Sequence, residues 1–257
     1  LVEEAEQNLI ENSLVLDVKN KVVKAQLPFT SDPRSKMNDN YLIAKKVLQR
    51  QLAKVEKNPE TGEGLLKAHD KLLLNGHVAP LSDFSPEEQK EILNGGYFIP
   101  WSSYFRFESL STPVRVVFDA SSKTPGGLSL NDCLAKGGNT LSKLLNLLFR
   151  FRAGVAALSA DIMMCYNAVK LHESDFKYQK YLWCPDLSDQ ENIIIMIIKT
   201  LIYGVKSSGN LTIAAINRIV EYAKTLGGLS EKGALAIERS TYMDDILPSF
   251  WTVLERD

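Results

Sequence analysis

The segment Tyr242-Met243-Asp244-Asp245-Ile246-Leu247 sets two adjacent carboxylates between residues that favour β-strands. Adjacent aspartates repel each other, and aspartate is common in exposed turns. The segment therefore predicts a β-hairpin with the aspartate pair in or near its turn. Two interpretations fit the pattern: a solvated hairpin tip without chemistry, or a pair of carboxylates that binds a metal ion.

A third carboxylate, Asp161, follows the apolar segment Val155–Ala160, which predicts a strand with a charged side chain at its end. If this strand pairs with the hairpin, Asp161, Asp244 and Asp245 could converge on two Mg²⁺ ions. Mg²⁺ prefers one or two carboxylate ligands together with substrate phosphates, and paired ions of this kind serve phosphoryl transfer. These three aspartates are the candidate catalytic and metal-binding residues.

Upstream of the hairpin, residues 1–95 are predicted to be mainly helical. Short β-type runs begin after Gly96, and strands and helices then follow each other without a regular βαβ alternation. This mixture predicts an α+β fold with an antiparallel sheet. The first predicted helix begins at Asn40 and ends at Asn58-Pro59. The second covers Leu65–Leu74 with Gly76 as its cap, and the third begins at Ser85 with a capping box to Glu88. Two further helices are predicted at Thr140–Arg152 and Ser208–Leu226. The predicted strands are Tyr97–Trp101, Tyr104–Phe107, Val114–Phe118, Val155–Ala160 and Ile193–Lys199, and the helix at 140–152 is expected to carry Leu141, Leu144, Leu145 and Leu148 on one face.

The composition is that of a globular protein: 257 residues, 45% apolar and 24% charged. A net charge of −1 gives no general affinity for nucleic acid. Between Lys143 and Trp183, six basic residues face three acidic ones, which indicates either a local binding patch or an ordinary solvated surface.

Three widely spaced cysteines without a CxxC pair favour reduced thiols and argue against a disulfide framework or a zinc site.

The sequence shows neither a signal peptide nor an apolar run of about 20 residues, so we expect an intracellular protein that does not contact a membrane. The absence of an initiator Met suggests a slice of a longer polypeptide.

Several ordered motifs resemble those of reverse transcriptases, in particular the polymerases of BEL/Pao-type long-terminal-repeat retrotransposons. Tyr242–Asp245 resembles motif C, and Asp161 with Tyr166 resembles motif A, with the spacing of metal ligand and steric gate seen in retroviral enzymes. The resemblance also rests on the segments Val114–Ser121 (VRVVFDAS), Gly127–Asp132 (GLSLND), Leu148–Arg152, Tyr97–Pro100 and Leu27-Pro28.

The resemblance implies a role for each matching residue. Asp161, Asp244 and Asp245 would hold two Mg²⁺ ions, with Mn²⁺ as a possible substitute. Arg115 would clamp the phosphates of the incoming nucleotide, and Arg106 would make a second phosphate contact. Tyr166 would exclude the ribose 2′-hydroxyl, and Tyr203-Gly204, the expected motif B, would contact the nucleotide. Tyr242 and Met243 would contact the primer terminus. Taken without the family, Arg106 could equally be an exposed strand charge, Tyr166 a core aromatic and Met243 an ordinary apolar residue.

The same resemblance implies a right-hand polymerase fingers and palm, with an antiparallel palm sheet backed by helices. The expected divisions are a helical amino-terminal extension at 1–95, fingers at 96–136 and 169–208, and palm at 137–168 and 209–257. The chain ends at Asp257, before the family's thumb and ribonuclease H regions. The expected partners are an RNA or DNA template with its primer, a dNTP, and those remaining parts of the same polyprotein, in a cytoplasmic particle or the nucleus.

Two departures from the family pattern bear on activity. Gly209 stands where relatives commonly have Pro in motif B, and Pro248 follows soon after the aspartate pair, where it fits only an edge strand. The alternative hypothesis is therefore a degenerate or domesticated remnant that binds nucleic acid or a protein partner without catalysis.

Overall fold

Small sheets and seven helices make up the described part of the chain. The computed structural model describes residues 2–33, 37–106, 114–140, 144–187, 189 and 191–252. Within them the helices are α1 (Val2–Asn12), α2 (Tyr41–Lys57), α3 (Pro59–Leu74), α4 (Pro86–Leu93), α5 (Leu144–Phe151), α6 (Ser208–Thr225) and α7 (Gly228–Ser240). The strands are β1 (Leu14–Asp17), β2 (Val22–Ala25), β3 (Val78–Pro80), β4 (Trp101–Phe105), β5 (Val114–Phe118), β6 (Ala156–Ala157), β7 (Ala160–Asp161), β8 (Lys170–Leu171), β9 (Lys180–Trp183), β10 (Ile194–Ile198), β11 (Thr241–Tyr242), β12 (Asp245–Ile246) and β13 (Ser249–Phe250).

The strands form three three-stranded sheets and two pairs. The sheet orders are β1-β2-β8, β3-β10-β9 and β11-β12-β7, and the pairs are β4-β5 and β13-β6. Of the strand pairs described, β2 and β8 run parallel and the others antiparallel. The predicted α+β class with antiparallel pairing is confirmed.

The β3-β10-β9 sheet lies in the core. The apolar run of β10 places Met196, Ile197 and Ile198 in the interior, and all four residues of β9 are buried. Helix α2 contacts β9 and β4, while α3 contacts β3 and β5. This layer joins the central sheet to the β4–β5 hairpin.

Helix α2 packs through residues spaced by about one helical turn. Its buried side chains are Ala44, Leu48, Gln51, Leu52 and Val55. The predicted start at Asn40 is confirmed, but its side chain does not cap the helix. The Asn40 amide instead donates to the Phe98 carbonyl at 2.7 Å and accepts from the Phe98 amide at 2.9 Å, as a neighbouring strand would.

The end of α3 and the start of α4 follow their predicted signals. Gly76, after α3, adopts the left-handed conformation with φ +65°. The Ser85 hydroxyl accepts from the Glu88 amide, and the Glu88 carboxylate accepts from the Ser85 amide at 2.8 Å. The capping box is therefore confirmed. Helix α3 itself begins at Pro59, six residues before the predicted start.

Other predicted elements differ from the structure. Residues 1–95 contain β1, β2 and β3 as well as helices, so this part is not purely helical. The predicted strand at 155–160 is divided into β6 and β7, each paired with a different partner. Helix α5 buries Leu147 and exposes Leu144, Leu145 and Leu148, so the predicted apolar face is wrong. Phe107 and Leu141 lie outside the described residues.

Lys180 belongs to the stretch that sequence patterning offered as a basic patch, yet it is only 2% exposed. Its ammonium group donates to the carbonyls of Ile92 and Gly95, at and beyond the end of α4, and lies 4.6 Å from the centre of the Phe98 ring. This lysine therefore satisfies two backbone carbonyls in the interior and cannot serve as a surface contact. In the described ranges, no helix is both long and apolar enough to cross a lipid bilayer.

Candidate active site

The aspartates of the two predicted motifs are brought together by one strand pair. Asp161 at the end of β7 lies opposite Asp245 at the start of β12, in an antiparallel register. Directly opposed residues of such a pair project from the same face, with Cβ atoms about 5 Å apart. The Ile162 amide donates to the Asp244 carbonyl at 2.8 Å, which extends the pairing beyond Asp161.

A tight turn positions Asp244 between β11 and β12. Tyr242 pairs with Asp245 across this turn, and Met243 within it has φ +57°. A left-handed backbone is uncommon for a residue with a side chain, and a two-residue hairpin turn is one place where it occurs. The predicted hairpin is confirmed, with Met243 and Asp244 as its central residues.

Asp161 and Asp244 act through their charges on the same two neighbours. Burial, followed by the charges of Asp244 and Asp161, raises the pKa of the Cys165 thiol to about 11. Burial and the same two aspartates also raise the pKa of Tyr203, and the nearby positive charge of Arg115 opposes that shift. The residues from the three motifs therefore lie within electrostatic range of one another.

A cavity of about 180 Å³ adjoins Asp244. Its walls come from the segment after β7, from the start of α6 and from the β11–β12 turn. Among the residues that line it are Cys165, Tyr166, Gly209, Thr212, Met243 and Asp244. The candidate gate residue and one candidate metal ligand thus border the same space.

Tyr166 is held by a short 3-10 turn, Cys165–Ala168. The turn is entered through Met164, whose φ is +53°, and the Asn167 amide donates to the Thr200 hydroxyl at 3.0 Å and the Leu201 carbonyl at 3.2 Å. The Tyr166 ring packs edge-on against Tyr203, with centroids 4.2 Å apart and an interplanar angle of 88°. These contacts connect the segment after β7 to the segment before α6.

The backbone conformation at position 204 and the contact with β5 require a glycine there. It has φ +99°, and a Cβ atom there would lie 2.2 Å from the Phe118 carbonyl oxygen at the end of β5. Glycine at position 204 was expected to let the backbone approach a nucleotide closely. The structure shows that the backbone approaches β5 instead, so the presence of this glycine is no evidence of a ligand contact.

Asn131 anchors the same turn. Its side-chain amide donates to the Gly204 carbonyl at 2.9 Å and its oxygen accepts from the Lys206 amide at 2.8 Å. Sequence reasoning placed Asn131 in a motif without assigning it a role, because its partners lie more than 70 residues away. It likewise gave no role to Cys165 or Thr212, since a cysteine and a helical threonine carry no distinctive pattern.

The two candidate phosphate-binding arginines have different settings. Arg115 is exposed on β5, pairs in register with Tyr104, and acts on Tyr203 through its charge. Arg106 is exposed immediately after β4, and no contact among the described residues connects its side chain with the carboxylates. Of the two, Arg115 is connected with the site through its charge effect on Tyr203.

The carboxylate oxygens of the candidate aspartates are the type of ligand that Mg²⁺ prefers. Asp161 and Asp245 are exposed on the same strand face, and Mg²⁺ needs few protein ligands because water and substrate phosphates supply the others. In the described part of the chain, however, no three His, Cys, Asp or Glu side chains are already gathered as a metal site. Convergence of all three aspartates on two ions remains a prediction.

Comparison with known protein families finds no matching family, and comparison with curated proteins finds no match.

Proposed function

We propose that this chain is the fingers-and-palm part of a BEL/Pao-type reverse transcriptase, which adds deoxynucleotides to a primer 3′ end on an RNA or DNA template. The observation that carries the proposal is the register of β7 and β12, which sets Asp161 opposite Asp245 beside the Asp244 turn. These residues are 83 to 84 positions apart, so the predicted motifs meet only through the tertiary fold. The order of the motifs along the chain supports the same conclusion.

In this proposal the sheet β11-β12-β7, with α6 and α7, is the palm, and the β4–β5 hairpin belongs to the fingers. Arg115 on that hairpin binds the phosphates of the incoming nucleotide, since its guanidinium group offers paired donors to phosphate oxygens. Arg106, at the end of β4, offers a second cation on the same hairpin.

The aromatic pair positions the sugar. Tyr166 lies beneath the deoxyribose and excludes a 2′-hydroxyl by its bulk, while Tyr203 supports the ring of Tyr166 from the side. Tyr242 and Met243, at the hairpin turn, contact the primer terminus.

Asp161, Asp244 and Asp245 are the residues that would hold two Mg²⁺ ions. When bound, such ions supply activation of the primer 3′-hydroxyl and neutralisation of the pyrophosphate leaving group.

Primer extension tests the proposal. The purified chain is incubated with an RNA template, a DNA primer, dNTPs and Mg²⁺ or Mn²⁺ at low salt, where phosphate contacts bind most strongly. When a thumb region is supplied, we expect extension by the unmutated chain, and a loss of more than about 100-fold in Asp161→Asn and Asp244→Asn because each removes a charge that the reaction centre requires.

Asp70→Asn is the matched control, because Asp70 is an exposed aspartate on α3, a helix whose main strand contacts are β3 and β5. It should extend primers at the unmutated rate. Undiminished extension by Asp161→Asn would place catalysis elsewhere. Binding of primer–template without extension by the unmutated chain would support the non-catalytic remnant instead.

A further inference from the structure

The amino-terminal helix α1 is joined to the start of α6 through one loop, residues 136–138. This loop contacts α1 on one side and the first turn of α6 on the other. Gly137, at its centre, is buried and has φ +82°. A Cβ atom there would lie 2.9 Å from the Asn210 side-chain nitrogen and 3.0 Å from the Ile10 side chain. A glycine at this position therefore lets both helices approach the loop closely.

Two neighbouring side chains of α1 hold the loop. One oxygen of the Glu6 carboxylate accepts from the backbone amides of Lys136 and Gly137, at 2.8 and 3.1 Å. The Gln7 side-chain oxygen accepts from the next amide, that of Gly138, at 3.2 Å. The hydrogen bonds from Lys136 and Gly137 lower the pKa of Glu6, so the carboxylate is ionised at neutral pH and both bonds are charge-assisted. Three consecutive backbone amides are thus bound by α1.

A single side chain of α6 holds the other side of the loop. The Asn210 amide nitrogen donates to the Lys136 carbonyl at 2.6 Å and to the Gly138 carbonyl at 3.0 Å. Both N–H donors of this asparagine are therefore used on the loop. Two turns further along α6, Arg218 donates to the Glu11 carbonyl near the end of α1 at 3.2 Å. Helices α1 and α6 are connected at both places.

The first turn of α6 also forms one wall of the cavity beside Asp244. Asn210 directly follows Gly209, and Gly209 and Ile213 line this cavity together with Asp244 and Tyr166. A Cβ atom at position 209 would lie 3.5 Å from the Tyr166 hydroxyl, so the helix backbone stands close to that side chain. A displacement of this turn would change the shape of the cavity, and misplacement by about 1 Å can be costly to an active site.

We infer that Asn210 is a positioning residue of the candidate active site, and that α1 acts on the site through it. Glu6 fixes the loop, the loop fixes Asn210, and Asn210 fixes the turn that carries Gly209. The kinetic consequence rests on the proposed function: a displaced cavity wall binds the incoming dNTP less well. The helix α1, which carries none of the motifs, thus belongs to the site.

Primer extension at varied dNTP concentration, with a thumb region supplied, tests the inference. Asn210→Ala removes both hydrogen bonds to the loop, so the KM for the dNTP should rise about three- to tenfold while kcat stays within about twofold. Glu6→Ala should raise KM by at least about threefold, because it releases the loop. Glu6→Gln keeps an acceptor oxygen for the same two amides and should leave KM within about twofold.

Asn217→Ala and Glu4→Ala are the matched controls. Asn217 lies two turns beyond Asn210 on α6, and Glu4 lies on α1; both are exposed, and neither side chain has a hydrogen bond or an ion pair with a residue in the described ranges. Both controls should keep the unmutated KM. A variant that only destabilised the fold would lower kcat through the fraction of active protein and leave KM unchanged. That result for Asn210→Ala, or equal KM values for Glu6→Ala and Glu4→Ala, would overturn the inference.

A double-mutant cycle tests whether Glu6 acts through Asn210. Glu6→Ala should raise KM no further in a chain that already carries Asn210→Ala, and additive effects would contradict the inference. Hydrogen exchange of residues 203–213, followed by mass spectrometry, needs no activity. Exchange there should be faster in Glu6→Ala and unchanged in Glu4→Ala. Unchanged exchange in Glu6→Ala would overturn the inference while the proposed function stands. An unmutated chain that extends no primer would overturn the proposed function, and exchange alone then decides whether α1 positions the cavity wall.

Discussion

His69 provides a sharp test of the packing between α3 and the central sheet. It is 1% exposed, its ring stacks on Trp183 at 3.7 Å with an interplanar angle of 3°, and its Nε2 lies 2.7 Å from the Tyr181 hydroxyl. Burial lowers the pKa of His69 from 6.5 to about 4. The folded protein therefore resists protonation of this ring.

The direction in which pH changes the stability follows from the protons that the folded and unfolded chains bind at His69. Between pH 6.5 and about 4 the unfolded chain binds a proton at His69 and the folded chain does not, so stability falls as the pH falls through this window. Each tenfold difference in proton affinity is worth about 1.4 kcal/mol. The contribution lost is therefore about 2 kcal/mol at pH 5 and about 3 kcal/mol below pH 4, relative to pH 7.5.

Urea unfolding at pH 7.5, 6.5, 5.5 and 5.0, followed by circular dichroism, measures this loss. His69→Gln cannot titrate, so its free energy of unfolding should fall by about 2 kcal/mol less than that of the unmutated chain between pH 7.5 and 5. Because all other groups are shared, the difference between the two slopes isolates His69. Parallel slopes would refute the argument, whatever the stability of the variant at neutral pH.

Three further predictions concern other parts of the molecule. Tyr166→Ala should lower the preference for dNTPs over rNTPs in primer extension, because in the proposed function the bulk of Tyr166 excludes the 2′-hydroxyl; an unchanged preference would reject Tyr166 as the gate. Burial lowers the pKa of Lys180 to about 8, so the unmutated chain should gain about 1.5 kcal/mol of stability from pH 8 to 9.5, and Lys180→Met should lack that gain in urea titrations. Ser85→Ala should lower the free energy of unfolding by about 1 kcal/mol, since it removes the capping hydrogen bond of α4, and no change would show that this helix end is not coupled to global unfolding.

Elements governed by near neighbours were predictable from the sequence. The capping box at Ser85 depends on a partner three residues away, and the glycine that ends α3 depends only on its own backbone conformation. The hairpin around Met243 is likewise a local structure of strand-forming residues about a two-residue turn. In each case the signal and the structure lie within one or two turns of chain.

Contacts between residues that are far apart in the sequence could not be predicted from these local patterns. Asn40 begins α2 as predicted, but Phe98, 58 residues away, determines what its side chain binds. The charge of Lys180 indicates an exposed residue, but its ammonium group is buried and donates to the carbonyls of Ile92 and Gly95, at and beyond the end of α4. The apolar face of α5 was predicted wrongly because periodicity does not reveal which neighbour a short helix meets.

The candidate site divides in the same way. The sequence by itself determined which carboxylates and aromatic residues are the candidates for the site, because residue type and local spacing define the motifs that they resemble. Only the tertiary structure decided that Asp161 lies opposite Asp245 and that Gly204 contacts β5. It also decided that Tyr166 and Asp244 border the same cavity. Strand register and the space between packed elements depend on contacts between distant segments, and no local pattern specifies them.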